Sequence, residues 1–250
     1  MDNTNLVPFL HYQFSVFDVT ELKDNLLSGS FDGESIHFIA ASTFYGKFQG
    51  KSFKEIWKDG ILLPDSRPLS RYLRFSNSKL VQIRGTDFMR AFLSEISCRA
   101  VFIGSTPEVT NAIKGHFETI NSGLIIVKSL HPQIQSEQDF DLVELGRVIH
   151  ELDADIIWIA LGSPKQDYVA QKLAKEVHIP VIAVGAAFDF LADSKKEASS
   201  IVTHLYLEWA FRLISEPRRL WRRYLVGNLK FVCLILLDLF GKLAKNTAKT

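Results

Sequence analysis

The stretch DIIWIALG, residues 155–162, decides the fold because it joins a short apolar run to a terminal glycine. An amphipathic stretch follows from about 164 to 177, so a strand leads directly into a helix. The same order recurs at 99–104, where a helix to about 117 follows, and at 181–185. Strands that alternate with helices predict an α/β domain, here a Rossmann-like core with a mainly parallel sheet.

Weaker patterns extend this organisation toward both sides. Residues 124–127 predict a further strand, and 140–152 an amphipathic helix. After Ala192 the character changes, because a polar segment that predicts a loop is followed by two helical patterns. These segments are 193–200, 205–214 and the stretch that Glu216-Pro217 opens. We therefore expect an α/β core over residues 1–195 and a helical C-terminal appendage over 196–250.

The bulk properties of the chain exclude several classes of protein. A formal net charge of +1 over 250 residues gives no general attraction to nucleic acid. Two cysteines far apart predict neither a disulfide framework nor a zinc site. The first five residues do not resemble a signal peptide, and the apolar run 231–240 is shorter than the roughly 20 residues that span a bilayer. We expect an intracellular protein, soluble or peripheral to a membrane.

Three predicted strands end in glycine, at Gly104, Gly162 and Gly185. Ligands of open α/β sheets bind beyond the carboxyl ends of the strands, where glycine lets the backbone approach them. Ordinary tight turns between strand and helix explain the same glycines equally well. Neither a G-x-G-x-x-G motif nor a P-loop is present, so nucleotide binding does not follow from the glycines alone.

Three blocks taken together give a more specific signal. They are GSPKQD at 162–167, GAAFDFL at 185–191, and EWAFRL at 208–213 leading into EPRRLWRRYL at 216–225. In this order they resemble the WecG/TagA/CpsF family of bacterial glycosyltransferases, with its patterns G-x-P-K-Q-E, G-A-x-F-D-F and E-W-x-x-R-L…E-P-x-R…R-R-Y-L. The resemblance runs from about residue 62 to 225.

The resemblance implies that Asp65, in the segment LLPDSRPL at 62–69, is the general base. Ser66 stands where the family has glycine, which makes the local geometry less certain. The segment VQIRGTD at 81–87 matches the family's R-x-T-G-S-D and implies a second site at Gly85, Thr86 and Asp87, although Gln82 occupies the position of the family arginine. A plain helix N-cap explains Thr86 and Asp87 equally well.

The glycine-terminated turns are implied to hold a nucleotide sugar. Lys165 suits a phosphate, and Gln166 offers a donor and an acceptor to a uracil or a sugar hydroxyl. Asp189 is implied to accept hydrogen bonds from the sugar or ribose, with a buried structural role as the alternative. The implied substrate-binding set is Gly104, Gly162, Pro164, Lys165, Gln166 and Asp189.

The C-terminal segment carries the arginines Arg212, Arg218, Arg219, Arg222 and Arg223. We expect them to attract anionic lipid or to stabilise the leaving UDP, and the run 231–240 to lie in the membrane interface. The alternative is a solvated basic helix followed by a helix that packs on the core or forms an oligomer.

The resemblance implies an inverting, metal-independent glycosyltransferase without a cofactor. It would move a hexose or N-acetylhexosamine, of the N-acetylmannosamine or N-acetylmannosaminuronate type, from a UDP-sugar to an undecaprenyl-diphosphate-linked glycan at the inner face of the cytoplasmic membrane. The alternative is a non-catalytic scaffold subunit, which Ser66, Gln82 and the anionic Glu197 in place of a family arginine would favour. Asp153-Ala154-Asp155 superficially resembles a D-x-D metal motif, but it precedes a strand and predicts a loop.

Overall fold

The computed structural model describes residues 5–45, 53–132, 141–192, 213–214, 218 and 221–247. Its strands are β1 (Leu6–Phe9), β2 (Tyr12–Ser15), β3 (Ser35–Ile39), β4 (Ile61–Pro64), β5 (Cys98–Gly104), β6 (Leu124–Leu130), β7 (Ile156–Ala160) and β8 (Val181–Ala183). They form one sheet in the order β1-β2-β4-β3-β8-β7-β5-β6. Only β1 pairs antiparallel within this sheet. The α/β class and the mainly parallel sheet are confirmed.

The helices of the described residues cover the sheet and connect its strands. They are α1 (Val19–Leu27), α2 (Phe53–Ile56), α3 (Arg67–Leu73), α4 (Gly85–Glu95), α5 (Pro107–Ile120), α6 (Leu142–His150), α7 (Lys165–Val177), α8 (Ala187–Leu191) and α9 (Gly227–Thr247), with a 3₁₀ turn at Ala41–Tyr45 and a π-helical turn at Arg222–Val226. The predicted elements between residues 99 and 185 are confirmed with ends that differ by up to three residues. The predicted loop 193–200 and most of the helix 205–214 lie outside the described residues.

The central strands are buried on both faces, as the apolar runs of a parallel sheet require. Side chains alternate along β7: Trp158 packs on one face with Phe102 and Phe188, whereas Ile157 and Ile159 pack on the other face. The sheet and the helices on its two faces thus form a three-layer core, which holds the strand ends in fixed positions.

Helix α9 closes a separate aromatic cluster against the N-terminal hairpin. Phe231 stacks on Phe44 with ring centroids 5.9 Å apart and lies 6.0 Å from the ring of Phe9. Two helical turns later, Asp238 accepts hydrogen bonds from the Leu10 N–H at 2.8 Å and the Tyr72 hydroxyl at 2.7 Å. Helix α9 therefore joins residues more than two hundred positions apart.

The hydrogen-bond partners of Asp238 stabilise its ionised form. Burial alone would raise the pKa of Asp238, but hydrogen bonds from Lys242, Tyr72 and the Leu10 N–H together lower it. The Lys242 ammonium lies 2.7 Å from the carboxylate. Burial and the hydrogen-bonded Asp238 carboxylate raise the pKa of the Tyr72 phenol. Within the described ranges, no helix is long and apolar enough to cross a membrane.

Candidate active site

The site residues that the family resemblance implies follow the carboxyl ends of neighbouring strands. Pro64 of β4 pairs with Ile39 of β3, and Ala183 of β8 pairs with residues of both β3 and β7. Strands lie about 4.8 Å apart, so the turns after β4 and β7 are separated by three spacings, about 14 Å. The fold therefore brings Asp65 and the turns at Gly162 and Gly185 to one edge of the sheet, with the end of β3 between them.

Asp65 occupies the N-terminal end of helix α4. Its Oδ1 accepts a hydrogen bond from the Gly85 N–H at 2.9 Å, and Gly85 is the first residue of that helix. Its own backbone N–H donates to the Ile39 carbonyl at 2.9 Å, which extends the β3–β4 pairing by one step. A carboxylate at a helix N-terminus is favoured by the helix dipole. The side chain is half-buried and held in one orientation beside the open edge.

The two departures beside Asp65 have structural explanations. Ser66 has φ −98° and ψ 143°, an extended conformation that any residue adopts, so glycine is not required there. Its hydroxyl accepts a hydrogen bond from the Ala41 N–H at 2.9 Å and joins the turns after β3 and β4. Gln82, at the position of the family arginine, donates through Nε2 to the Asp65 carbonyl oxygen. Both substitutions thus support the position of Asp65.

Thr86 and Asp87 of the second implied site lie inside helix α4 and are not its N-cap residue. Helix α4 begins at Gly85, its N-cap residue is Arg84, and the Arg84 side chain makes no capping hydrogen bond. The alternative of an N-cap at Thr86 or Asp87 is therefore wrong, because Asp65 supplies the capping carboxylate from another loop. Thr86 is buried, whereas Asp87 is exposed and pairs with Arg84 and Arg90. A Cβ on Gly85 would lie 3.1 Å from the ring of Phe38, so close packing explains this glycine.

Gly104 is explained by strand packing. It pairs with Ala160 of β7 and has φ +100°. A Cβ at this position would lie 2.5 Å from the Ala160 carbonyl oxygen. The structure thus gives Gly104 a reason that needs no ligand.

The Gln166 side chain lies between the turn after β7 and the turn after β8. Its Oε1 accepts a hydrogen bond from the Gly162 N–H at 3.0 Å, and a Cβ on Gly185 would lie 2.9 Å from the same oxygen. The Gln166 side chain is only 6% exposed. The Gln166 amide oxygen is therefore engaged by the Gly162 N–H, and its role toward a uracil or a sugar hydroxyl stays a prediction.

A buried polar chain runs from this turn into the sheet. Ser163 donates to Asp167 Oδ2 at 2.6 Å, Asp167 Oδ1 lies 2.9 Å from His37 Nδ1, and His37 Nε2 lies 2.9 Å from the Ser35 hydroxyl. Asp167 and His37 are 2% and 0% exposed. The sequence did not predict this chain of contacts, since 130 residues separate His37 from Asp167.

The remaining implied residues lie at the same edge or in the C-terminal segment. Pro164 is the N-cap residue of α7 and follows a cis peptide bond. Lys165 begins α7, and Asp189 lies half-buried in the short helix α8. Arg218 and Arg222 are exposed, and the Arg222 guanidinium lies 5.1 Å from the ring centre of Trp221. The side chains of Arg212, Arg219 and Arg223 lie outside the described residues.

Candidate metal ligands do not cluster in the part of the chain that the structure describes, where no group of three His, Cys, Asp or Glu side chains could hold an ion. The D-x-D-like segment is a loop, as predicted. Asp155 accepts from the Arg99 N–H at 2.7 Å, and the Arg99 guanidinium binds the Asp153 carbonyl. This segment precedes β7 and so lies at the amino edge of the sheet, opposite the candidate site.

Comparison with known families decides the affiliation. The model of the Glycosyl transferase WecG/TagA/CpsF family matches residues 7–245. The chain belongs to this family. Membership makes it a glycosyltransferase of cell-surface polysaccharide synthesis, and the family match reaches beyond the resembling blocks into β1 and α9.

A comparison with solved structures adds little to the family assignment. A mutant of arylmalonate decarboxylase in its sulfate-associated form is 14% identical, over 73% of this chain and 77% of that chain, with a TM-score of 0.31. A likeness at this level carries no argument about function.

Proposed function

We propose that this member of the family is an inverting, metal-independent transferase that uses a UDP-sugar donor and an undecaprenyl-diphosphate-linked glycan acceptor. The sugar is a hexose or N-acetylhexosamine, of the N-acetylmannosamine or N-acetylmannosaminuronate type. Asp65 takes the proton from the acceptor hydroxyl, the oxygen bonds to the anomeric carbon, and UDP leaves. One observation carries the proposal: the Asp65 carboxylate is fixed by Gly85 at the sheet edge that the implied donor turns share.

The reaction itself tests the proposal. Purified protein is screened for binding of a set of UDP-sugars, and UDP release is then measured with a prenyl-diphosphate-linked sugar as acceptor. Release that requires both substrates supports a transferase. Binding of a UDP-sugar without turnover of any acceptor would favour the scaffold subunit, and no UDP-sugar binding would contradict the donor assignment.

We further propose that the turns after β7 and β8 hold the nucleotide, so Gln166→Ala should weaken UDP binding roughly tenfold or more. The change frees the Gly162 N–H and loosens both turns. It also removes buried volume and a buried hydrogen bond, so the free energy of unfolding should fall by about 1–3 kcal/mol. Calorimetry with UDP measures the affinity, and Asp189→Ala is tested beside it.

Gln171→Ala is the matched control for this experiment. Gln171 lies on the same helix, is 8% exposed, and donates one hydrogen bond to the Glu55 carbonyl at 3.4 Å. It should lose similar stability and keep UDP affinity. Unchanged UDP affinity in both Gln166→Ala and Asp189→Ala, or an equal loss in Gln171→Ala, would refute the nucleotide site.

We also propose that the protein is peripheral to the inner face of the cytoplasmic membrane and that α9 contacts the lipid. Helix α9 has two faces: Phe231 and Asp238 face the core, whereas an opposite face is apolar and exposed. This outward face consists of Leu229, Val232, Leu236, Phe240 and Leu243. An apolar face flanked by basic residues binds in the interface of anionic membranes.

Removing the C-terminal segment would be a poor test, because Phe231 and Asp238 also complete the core. Changing Leu229, Phe240 and Leu243 to serine leaves those contacts in place and should abolish most co-sedimentation with anionic liposomes, since each large side chain contributes about 1.5–3 kcal/mol of apolar burial. Val143→Ser, at a residue of α6 that is 68% exposed, is the control. Undiminished sedimentation of the triple variant would contradict the membrane role, and loss of a homo-oligomer instead would assign the face to self-association.

A further inference from the structure

A basic cavity lies beside the candidate base, along helix α3. Its volume is about 460 Å³, and its lining consists of Arg67, Ser70, Arg71, Arg74 and Gln82. Building on the proposed function, we propose that this cavity binds the diphosphate of the lipid-linked acceptor. Arg71 and Arg74 lie outside the sequence segments that were matched to the family.

The charged side chains that line the cavity are all arginines, so its charge is positive. Residues four and three apart share a helix face, so Arg67, Arg71 and Arg74 project from one side of α3. Within the described part of the chain, Arg71 and Arg74 form no ion pair, and no carboxylate side chain lines the cavity. Like charges spaced this way on a helix repel one another. An anion in the cavity would remove that repulsion.

The chemistry of the lining suits phosphate. A guanidinium offers planar, paired donors that match two oxygens of a phosphate group. Two adjacent guanidinium groups match the two phosphates of a diphosphate better than they match a single carboxylate. The diphosphate is bound there and undergoes no reaction, because the bond that forms joins the acceptor oxygen to the donor sugar elsewhere.

The cavity lies where the acceptor would place its diphosphate. Helix α3 begins two residues after Asp65, and Gln82 of the lining donates to the Asp65 carbonyl. A helix rises about 1.5 Å per residue, so Arg71 and Arg74 lie roughly 6 and 10 Å along the axis from Arg67. A hydroxyl presented to Asp65 would therefore leave one sugar ring between the reacting oxygen and the arginines.

The donor diphosphate is the less suitable occupant. The turns at Gly162 and Gly185 follow β7 and β8, on the other side of β3 from Asp65. Three strand spacings, about 14 Å, separate the turn after β4 from the turn after β7. The helix α3 extends from the β4 turn, so its arginines belong to the acceptor side of the edge.

Pyrophosphate titration tests the cavity without relying on turnover. Calorimetry at low ionic strength, with excess UDP present, compares the wild-type protein with the double variant Arg71→Gln/Arg74→Gln. We expect the double variant to bind pyrophosphate at least about tenfold more weakly, since it loses two charge-assisted contacts. Arg147→Gln is the matched control, because Arg147 is an exposed helical arginine of α6 whose ion pairs are with Glu144 and Glu151.

The outcomes separate this inference from the proposed function. Equal pyrophosphate affinity in the wild type and the double variant, or an equal loss in Arg147→Gln, would overturn the cavity as a diphosphate site. Binding of glucuronate but not pyrophosphate would also overturn it. A fall in UDP affinity of the double variant would assign the cavity to the donor and overturn the acceptor assignment. Selective loss of pyrophosphate in a protein that transfers no sugar would support the anion site and contradict the transferase.

Discussion

Asparagine in place of Asp65 is expected to lower turnover by roughly 10²–10⁴-fold, the usual contribution of a general base. The amide oxygen of asparagine can still accept the Gly85 N–H, which now binds Oδ1 at 2.9 Å. The backbone bond to Ile39 is also kept. The variant should therefore fold normally and bind the donor with nearly unchanged affinity, so the loss lies in the chemical step.

Asp153→Asn gives the matched control for this change. Asp153 is exposed, lies at the opposite edge of the sheet, and has φ +49°, a conformation that asparagine tolerates well. Its turnover should equal that of the wild type. An Asp65→Asn variant that transfers sugar at near wild-type rate would show that another group is the base, and a parallel loss of donor affinity would show that Asp65 acts in binding.

Alanine in place of Gly104 is expected to destabilise the protein by about 3–5 kcal/mol, from steric overlap and backbone strain together. The new Cβ would lie 2.5 Å from the Ala160 carbonyl oxygen and 2.8 Å from its carbon, and both are backbone atoms of a neighbouring strand. Neither can move without separating β5 from β7. Denaturant unfolding followed by circular dichroism measures the change.

Two other glycines separate the causes of this effect. Gly162 also has positive φ, +76°, but a Cβ there would meet nothing within 4 Å, so Gly162→Ala should cost only about 1–2 kcal/mol of strain. Gly115, within α5, has equally open surroundings, and Gly115→Ala should stabilise the helix by about 0.5–1 kcal/mol. If Gly104→Ala destabilises no more than Gly162→Ala, the overlap with Ala160 is relieved by local movement.

The sequence predicted the elements between residues 99 and 185 closely because each element there carries its own local signal. The apolar run ending in Gly162 and the first-turn proline after Thr106 give a strand end and a helix start without outside contacts. Thr106 indeed accepts from the Val109 N–H at 3.4 Å. The strands before residue 65 were not predicted, because none of these runs leads into a glycine as β5, β7 and β8 do.

The candidate site, like the fold, was predicted from the sequence only in part. Family blocks placed Asp65 and the turns at one edge, but they could not show that Gln166 is buried or that Asp167 meets His37. Those contacts depend on which side of α7 faces β3, and no local pattern records it. The basic side of α3 was readable in principle, since Arg67, Arg71 and Arg74 repeat at helical spacing. It was missed because α3 itself was not predicted.

The attachment of α9 to the N-terminal hairpin has a consequence during synthesis. Leu10 and Asp238 are 228 positions apart, and ribosomes add about 5–20 residues per second, so the hairpin waits roughly 10–50 s for the partner that covers it. During that interval Phe9 and Phe44 lack Phe231, against which both pack in the finished protein. Strands β1 and β2 are thus covered only when helix α9 has been synthesised, and a chaperone that shields a nascent apolar surface would bind this hairpin in the interval.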